Sequence, residues 1–174
     1  MEQWRRNLYN LNPYLLSTIS TAFFILQIAL AFLLFSRNGI QVLRSVGWII
    51  WVIGAVFGIL PMFTLRSKGG VPPGRSYVAT ARIVDSGLYA VVRHPQYLAQ
   101  EFLCPAVMLI AQHWVVVVIG IVPMLLTYLD AIREDHACIR KFGDDYRRYV
   151  ERVPRMNLVA GVIRLLQRKR GGAD

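Results

Sequence analysis

The chain of 174 residues has little of what would fix a fold or a function at once. It has only two cysteines, Cys104 and Cys138, and they predict neither a disulfide framework nor a zinc site. It has no internal repeat and no low-complexity tract, which removes repeat arrays from consideration. Acidic residues are also scarce, because 10 Asp and Glu stand against 20 Lys and Arg, for a net charge of +10.

Long apolar runs occupy much of the chain instead, and hydrophobic residues make up 55% of it. Residues 14–35 carry no charge and would extend about 33 Å as a helix, enough to cross a bilayer. Residues 46–65 form a second uncharged run, and residues 97–129 form a longer apolar run with a predicted tight turn at residues 112–114. The sequence therefore predicts an all-α, polytopic membrane protein with four transmembrane helices, at residues 14–35, 46–65, 97–112 and 114–129.

The distribution of Lys and Arg predicts the orientation of these helices. Basic residues before the first run, in the second connection and after Ala131 far outnumber Arg37 and Arg44, which lie on the other side of the predicted bilayer. Because Lys and Arg concentrate on the cytoplasmic side, both termini are predicted to be cytoplasmic. The membrane is predicted to be that of a prokaryotic cell. Topology and anionic headgroups account for the basic excess, so no nucleic-acid partner is predicted. The first run is too long for a cleaved signal peptide.

The predicted connections are unequal in length. Residues 66–93 form a long one that contains the helix breakers Gly69-Gly70 and Pro72-Pro73-Gly74. Long ordered loops tend to be functional, so this segment is predicted to be a functional cytoplasmic loop. Residues 130–152, with a turn at Phe142-Gly143, and residues 157–169 are predicted to be cytoplasmic C-terminal helices, the second lying on the membrane. Residues 1–174 are predicted to form a single membrane domain.

The last two predicted spans bring two polar motifs together. The turn between them makes an antiparallel hairpin, whose two ends emerge on the same cytoplasmic face. His94 precedes the hairpin and Glu134 follows it, so both are predicted to border one polar cup. Burying such groups costs on the order of several kcal/mol unless they are paired or bind something. The cup suits a charged cofactor from the cytosol and a lipid arriving between helices. Its predicted members are Tyr89, Arg93, His94, Tyr97, Glu101, Asp130, Arg133, Glu134 and Asp135.

Short motifs follow one another along residues 81–155 in a distinctive order. They are Gly87-Leu88-Tyr89, Arg93-His94-Pro95 with Tyr97-Leu98, Arg133-Glu134-Asp135, Phe142-Gly143-Asp144-Asp145-Tyr146 with Tyr149, and Val153-Pro154-Arg155. The ordered set closely resembles the isoprenylcysteine carboxyl methyltransferase family, and phospholipid methyltransferases share part of it. The first two predicted helices match that family in hydrophobicity only.

The resemblance implies methyl transfer from S-adenosylmethionine to a lipid or lipidated, isoprenylcysteine-like substrate. A carboxylate such as Glu134 can accept hydrogen bonds from ribose hydroxyls or meet the ammonium group, and N–H groups at the start of a helix can bind the cofactor carboxylate. Tyrosine rings offer flat apolar contacts to adenine. The Rossmann glycine fingerprint is absent, which fits a different cofactor fold. The cofactor-binding residues so implied are Ala81, Arg82, Ile83, Val84, Tyr89, His94, Pro95, Gln96, Tyr97 and Glu134, and no metal is predicted.

Four charged residues are candidates for the chemistry at the methyl acceptor. A carboxylate acceptor needs desolvation and an orienting cation such as Arg93 or Arg133, whereas an amine acceptor needs a base, for which Glu101 or Asp130 is suited. The methyl transfer itself would be direct and in line, with the protein supplying proximity and water exclusion. The resemblance places Asp130 where the eukaryotic enzymes have an arginine that meets the substrate carboxylate. An anionic Asp130 favours an amine or neutral head group instead.

Other interpretations of the same residues stay open. Tyr89 and Tyr97 are also typical of the aromatic belt at a membrane interface, His94 of a residue that caps a helix, and Glu101 of a structural carboxylate. Tyr146 and Tyr149 are predicted to be packing residues. A second hypothesis is a membrane sterol-type reductase, which has a similar C-terminal helical arrangement and whose NADPH 2′-phosphate the loop arginines could bind. A third is a non-enzymatic membrane protein.

Overall fold

The computed structural model describes Gln3, Leu8, Tyr9, Asn12 and residues 14–170, and this part of the chain is helical, with no strand in it. Arg5 and Arg6, which contribute to the predicted orientation, lie outside the described residues. The helices are α1 (Leu15–Leu33), α2 (Gln41–Lys68), a 3-10 turn (Gly87–Ala90), α3 (Pro95–Ala111), α4 (Trp114–Phe142), α5 (Asp144–Arg152) and α6 (Leu158–Arg170).

Three of the helices, α1, α2 and α4, are long and apolar enough to cross a membrane. The helical fold class is therefore confirmed, together with three candidate spans. Helix α3 covers the third predicted span but has only 17 residues, and it is not among these three candidates. The count of four spans stays a prediction.

The helix ends differ from the predicted ones mainly on the polar side. Helix α2 begins at Gln41 and ends at Lys68, so it takes in basic residues that the charge-free run 46–65 left out. No separate helix begins at residue 130, because α4 continues through residues 130–142, which contain no proline or glycine. The break comes at Gly143, whose φ of 59° is a conformation that favours glycine. The predicted turn at Phe142-Gly143 is confirmed.

The described chain divides into two compact units, and the first combines the described residues up to Val56 with Tyr97–Glu134. Glycines let α2 approach α3 closely here, since a Cβ on Gly47 would lie 2.8 Å from the Ile110 side chain and 3.0 Å from the Ala106 carbonyl oxygen. The predicted turn after α3 is also confirmed. Gln112 has a positive φ of 51°, and its side-chain amide bonds both the N–H and the carbonyl of Ile40 at 2.7 and 2.8 Å.

Buried polar side chains inside the first unit form hydrogen bonds to backbone carbonyls and to one another. Gln27 is fully buried, and its Nε2 donates to the carbonyls of Cys104 at 3.0 Å and Val116 at 3.4 Å. Ser20 Oγ lies 2.9 Å from Thr127 Oγ1, which ties α1 to α4. Such interhelical bonds between small polar side chains are a usual means of association in apolar surroundings.

The second unit combines Phe57–Gln96 with the described residues from Asp135 onward. Its apolar core is Tyr146, Tyr149 and Val153, against which Ile83 packs. The burial of both tyrosines fits their predicted role in packing. Although the segment after α2 is irregular, it is held in place, because the Gly69 carbonyl accepts the N–H groups of both Ala81 and Arg82 at 2.8 and 3.0 Å. The prediction of a single membrane domain is untested by this division.

Candidate functional site

Asp135 is the centre of a buried polar network in the second unit. Its Oδ2 accepts hydrogen bonds from Arg93 Nη2 at 2.9 Å and from Arg155 Nε at 2.7 Å. Its Oδ1 lies 2.8 Å from His94 Nε2 and accepts a bond from the Tyr146 hydroxyl at 2.9 Å. A carboxylate oxygen only accepts, so the contact requires the proton of His94 to be on Nε2. One carboxylate therefore fixes four side chains from three parts of the sequence.

Arg93 carries the network into the backbone of the C-terminal segment. Its Nη1 donates to the carbonyls of Val150 at 2.9 Å and Val153 at 3.0 Å, while its side chain is only 6% exposed. The backbone N–H groups of Arg93 and His94 donate to the carbonyls of Pro154 and Arg155 at 3.0 and 3.1 Å. These two backbone hydrogen bonds hold residues 93–94, just before α3, against residues 154–155.

Tyr89 is held in place by a hydrogen bond to its main-chain carbonyl and by its burial. The Tyr149 hydroxyl donates to the Tyr89 carbonyl at 2.6 Å, and the Tyr89 residue as a whole is buried. Burial raises the pKa of both phenols above their ordinary value, so both hydroxyls stay protonated and can donate. The buried ring argues against Tyr89 as a membrane-belt residue, because belt tyrosines keep their polar end at the wet interface.

The segment Ala81–Val84 runs from an exposed to a buried position. Ala81 and Arg82 are exposed, Ile83 packs on the tyrosine core, and Val84 is buried. Just before it, the Thr80 carbonyl accepts a bond from Lys141 Nζ at 2.5 Å. At the other end of the loop, Gln96 Nε2 donates to the Tyr77 hydroxyl at 3.2 Å. The predicted loop is therefore ordered, and contacts from the C-terminal part of the chain order it.

The remaining predicted residues belong to the first unit, where a second buried ion pair lies. Asp130 is 1% exposed, and its Oδ1 accepts from Arg133 Nε at 2.9 Å and lies 2.8 Å from Arg133 Nη2. The Tyr97 hydroxyl donates to Asp130 Oδ2 at 3.4 Å. Both oxygens of this carboxylate thus face a donor, so Asp130, Arg133 and Tyr97 form one group.

Glu101 and Glu134 belong to the same unit. Both are half-buried, and Glu101 Oε1 is buried without a hydrogen-bond partner among the described residues. An unsatisfied buried carboxylate oxygen carries a desolvation cost, which a proton or a polar ligand would relieve. Glu101 can therefore accept a proton or a polar ligand at this oxygen, which a carboxylate already paired with a neighbour could not do.

Asp135 was predicted as a member of the polar cup but was given no catalytic or cofactor-binding role, and Tyr146 and Arg155 were not predicted as site residues. The sequence did carry a signal for them, since each falls inside one of the short motifs on which the family resemblance rests. That signal did not distinguish a ligand-binding side chain from one that supports it.

Among residues 14–170 and the four earlier positions described, no group of three His, Cys, Asp or Glu residues is placed to hold a metal ion.

A comparison with family models matches residues 1–153 to a family described as "Protein of unknown function (DUF1295)". Searches of curated proteins and of solved structures return no match.

Proposed function

We propose that this chain, which belongs to the DUF1295 family of proteins of unknown function, is an integral-membrane methyltransferase. It transfers a methyl group from S-adenosylmethionine to a lipid or lipidated acceptor. In this proposal α3 is a fourth span beside the three candidates, and both termini lie in the cytoplasm.

One observation carries the proposal: motif residues far apart in sequence contact one another. Arg93 and His94 meet Asp135, Asp135 meets Tyr146 and Arg155, and Tyr149 meets Tyr89. These are the positions on which the resemblance to isoprenylcysteine carboxyl methyltransferases rests. A set of residues that is shared by chance would have no reason to converge. The contacts therefore support the resemblance by a route independent of sequence order.

The side chains fit an S-adenosylmethionine site by their chemistry. Glu134 supplies a carboxylate for the ribose hydroxyls or the ammonium group, and Gln96 supplies an amide. Ala81 and Arg82 lie on the exposed part of an ordered loop, where backbone groups can meet a ligand. The cofactor, when bound, supplies an electrophilic methyl group on a sulfonium. The residues that the family resemblance implies for holding it are Ala81–Val84, Tyr89, His94–Tyr97 and Glu134.

The roles of these residues are unequal. Arg93 and His94 are engaged by Asp135, so they hold the loop in one conformation and thereby orient it. Tyr89 contributes as a buried support rather than as an open stacking surface. Preorganising a binding loop lowers the entropy lost when the ligand binds. The network is in this way a support for the cofactor loop.

In this proposal, residues of the first unit act on the methyl acceptor. Glu101 has a buried oxygen without a hydrogen-bond partner in the described chain, and it can take the proton of an amine or hydroxyl acceptor. Arg133 is the candidate for orienting a carboxylate acceptor, although it is paired with Asp130. The two acceptor classes therefore make different demands on the same side chains.

The alternative, an NADPH-dependent reductase, draws on one specific observation. Arg75 and Arg82 are both exposed on the ordered loop, and a 2′-phosphate is the kind of anion that arginine binds well. A nicotinamide cofactor would then use the same loop for a different reaction.

The test is calorimetric titration of the full-length protein in lipid nanodiscs. We expect S-adenosylmethionine to bind at one site, and Glu134→Gln to weaken it while Glu151→Gln, an exposed matched change, leaves it intact. Transfer of a labelled methyl group to membrane lipid would then identify the acceptor. Binding of NADPH alone would favour the reductase, and binding of neither would contradict an enzymatic function with either cofactor.

A further inference from the structure

Helix α6 presents two different faces. Gly161, Arg164, Leu165 and Arg168 follow the spacing of three and four residues that places them on one side of a helix. Val159, Val162, Ile163 and Leu166 follow the same spacing on the opposite side, and all four are exposed, Val159 by 71% and Leu166 by 53%. The second set is called here the apolar stripe of α6.

The first face is docked on the loop that leads into α3. Gly161 is buried, and a Cβ at this position would lie 2.1 Å from the Val91 carbonyl oxygen, so only glycine allows this approach. Arg168 Nη2 donates to the Ala90 carbonyl at 2.8 Å. Arg164 Nη1 donates to the Glu151 carbonyl at 3.3 Å. The position of α6 and the conformation of residues 90–91 are therefore linked.

The charge of α6 identifies what the apolar stripe meets. The helix contains three arginines and one lysine and no acidic residue. The described part of the chain has three helices suited to crossing a bilayer, so a membrane surface is available to it. A basic helix with one apolar stripe and low overall hydrophobicity is the type that lies in the headgroup region of anionic membranes. A soluble acidic protein would match the charge but would not need four exposed aliphatic side chains in a row.

We infer that α6 is an anionic-lipid-binding helix whose apolar stripe enters the bilayer surface and anchors residues 87–94 there. Lipid binding holds the stripe, the docked face holds Ala90 and Val91, and the Asp135 network begins two residues later at Arg93. The membrane would thus restrain the loop on one side, and the buried Asp135 network would restrain it on the other. Lipid binding by α6 requires no cofactor, so it can be tested independently of methyl transfer.

The experiment compares two positions on the same helix by lipid quenching. The full-length protein, with Cys104→Ala and Cys138→Ser, carries one fluorophore at Val162→Cys in the stripe or at Gln167→Cys beside it. It is placed in nanodiscs of phosphatidylcholine with or without phosphatidylglycerol, with a quencher on the acyl chains. We expect much stronger quenching at position 162 than at 167, and a larger difference with phosphatidylglycerol, because each basic residue near an anionic surface strengthens adsorption about fivefold.

A second readout tests the anchoring. Hydrogen exchange of residues 87–94 should speed up when Ile163→Ser and Leu166→Ser are combined, and should stay unchanged for Gln167→Ser. Equal quenching at positions 162 and 167 would overturn lipid binding. Cross-linking of position 162 to a second copy without acyl-chain quenching would assign the stripe to an oligomer and overturn it as well. Quenching at 162 with unchanged exchange in the double variant would overturn the anchoring.

Discussion

Substituting Asp135 with asparagine should destabilise the protein far more than its single charge would suggest. The side chain is 8% exposed and meets Arg93, His94, Tyr146 and Arg155. An asparagine in its place would keep one acceptor oxygen but turn an NH₂ group toward side chains that are themselves donors. Arg93, with its side chain 6% exposed, would then be a buried cation without a counter-charge.

The expected cost follows from that burial. Removing one partner of a buried ion pair costs about 3–5 kcal/mol, because the other charge is left uncompensated. The Arg155 part of the network adds less, since its side chain is 30% exposed and water can replace the lost partner. We therefore expect Asp135→Asn to lower the free energy of unfolding by about 3–5 kcal/mol.

The chain offers a matched control in Asp145, which pairs with Arg148 on the surface of the same unit. That pair is 71% and 67% exposed, so Asp145→Asn should cost about 0–1 kcal/mol. Denaturant unfolding in detergent micelles, followed by tryptophan fluorescence, compares the two variants. Hydrogen exchange should also show residues 89–94 opening first in Asp135→Asn. Equal stability of the two variants would refute the view that Asp135 neutralises a buried cation.

Three further predictions concern topology, cofactor and acceptor. Cysteine labelling at residues 75 and 150 should be cytoplasmic, and labelling of either from the opposite side would overturn the proposed orientation. Glu134→Gln and His94→Ala should each weaken S-adenosylmethionine binding tenfold to a hundredfold, about 1.5–3 kcal/mol, in calorimetric titration. His94→Ala should also lower stability, because His94 contacts Asp135, and unchanged binding in either variant would remove that residue from the site. The protein should methylate an amine or neutral head group better than a farnesylcysteine analogue. Asp130→Arg should shift this preference toward the carboxylate. Efficient methylation of the analogue by the unchanged protein would contradict the preference.

Much of the helical framework could be predicted because hydrophobic length is a property of local sequence. The charge-free runs correspond to α1 and α2, and the predicted turn at residues 112–114 falls where Gln112 takes a positive φ. Helix ends were harder, since residues 130–142 are polar yet continue α4. A change from apolar to polar composition marks where a helix leaves the bilayer, and not where it ends.

The hairpin predicts that the two polar motifs meet, but the individual contacts that support the site could not be predicted, because they join residues distant in sequence. The sequence marks Arg93 and His94 as unusual beside an apolar run, but it does not show that Asp135 engages both. It shows Tyr149 beside Tyr146, but not that its hydroxyl reaches the Tyr89 carbonyl. Each of these contacts spans about forty residues or more, and only the fold brings the partners within hydrogen-bonding distance.

The burial of Asp130 changes the physical basis of the expected acceptor preference. Sequence alone treats Asp130 as an anion that repels a substrate carboxylate. The side chain instead pairs with Arg133 at 2.8 Å, so the two present a neutral dipole whose field falls off faster than that of a single charge. A carboxylate acceptor would have to draw Arg133 away from Asp130 and leave that buried anion uncompensated. An amine acceptor makes no such demand and can use Glu101, whose buried oxygen lacks a partner in the described chain. The predicted preference for an amine or neutral head group therefore rests on the cost of breaking this pair more than on direct repulsion.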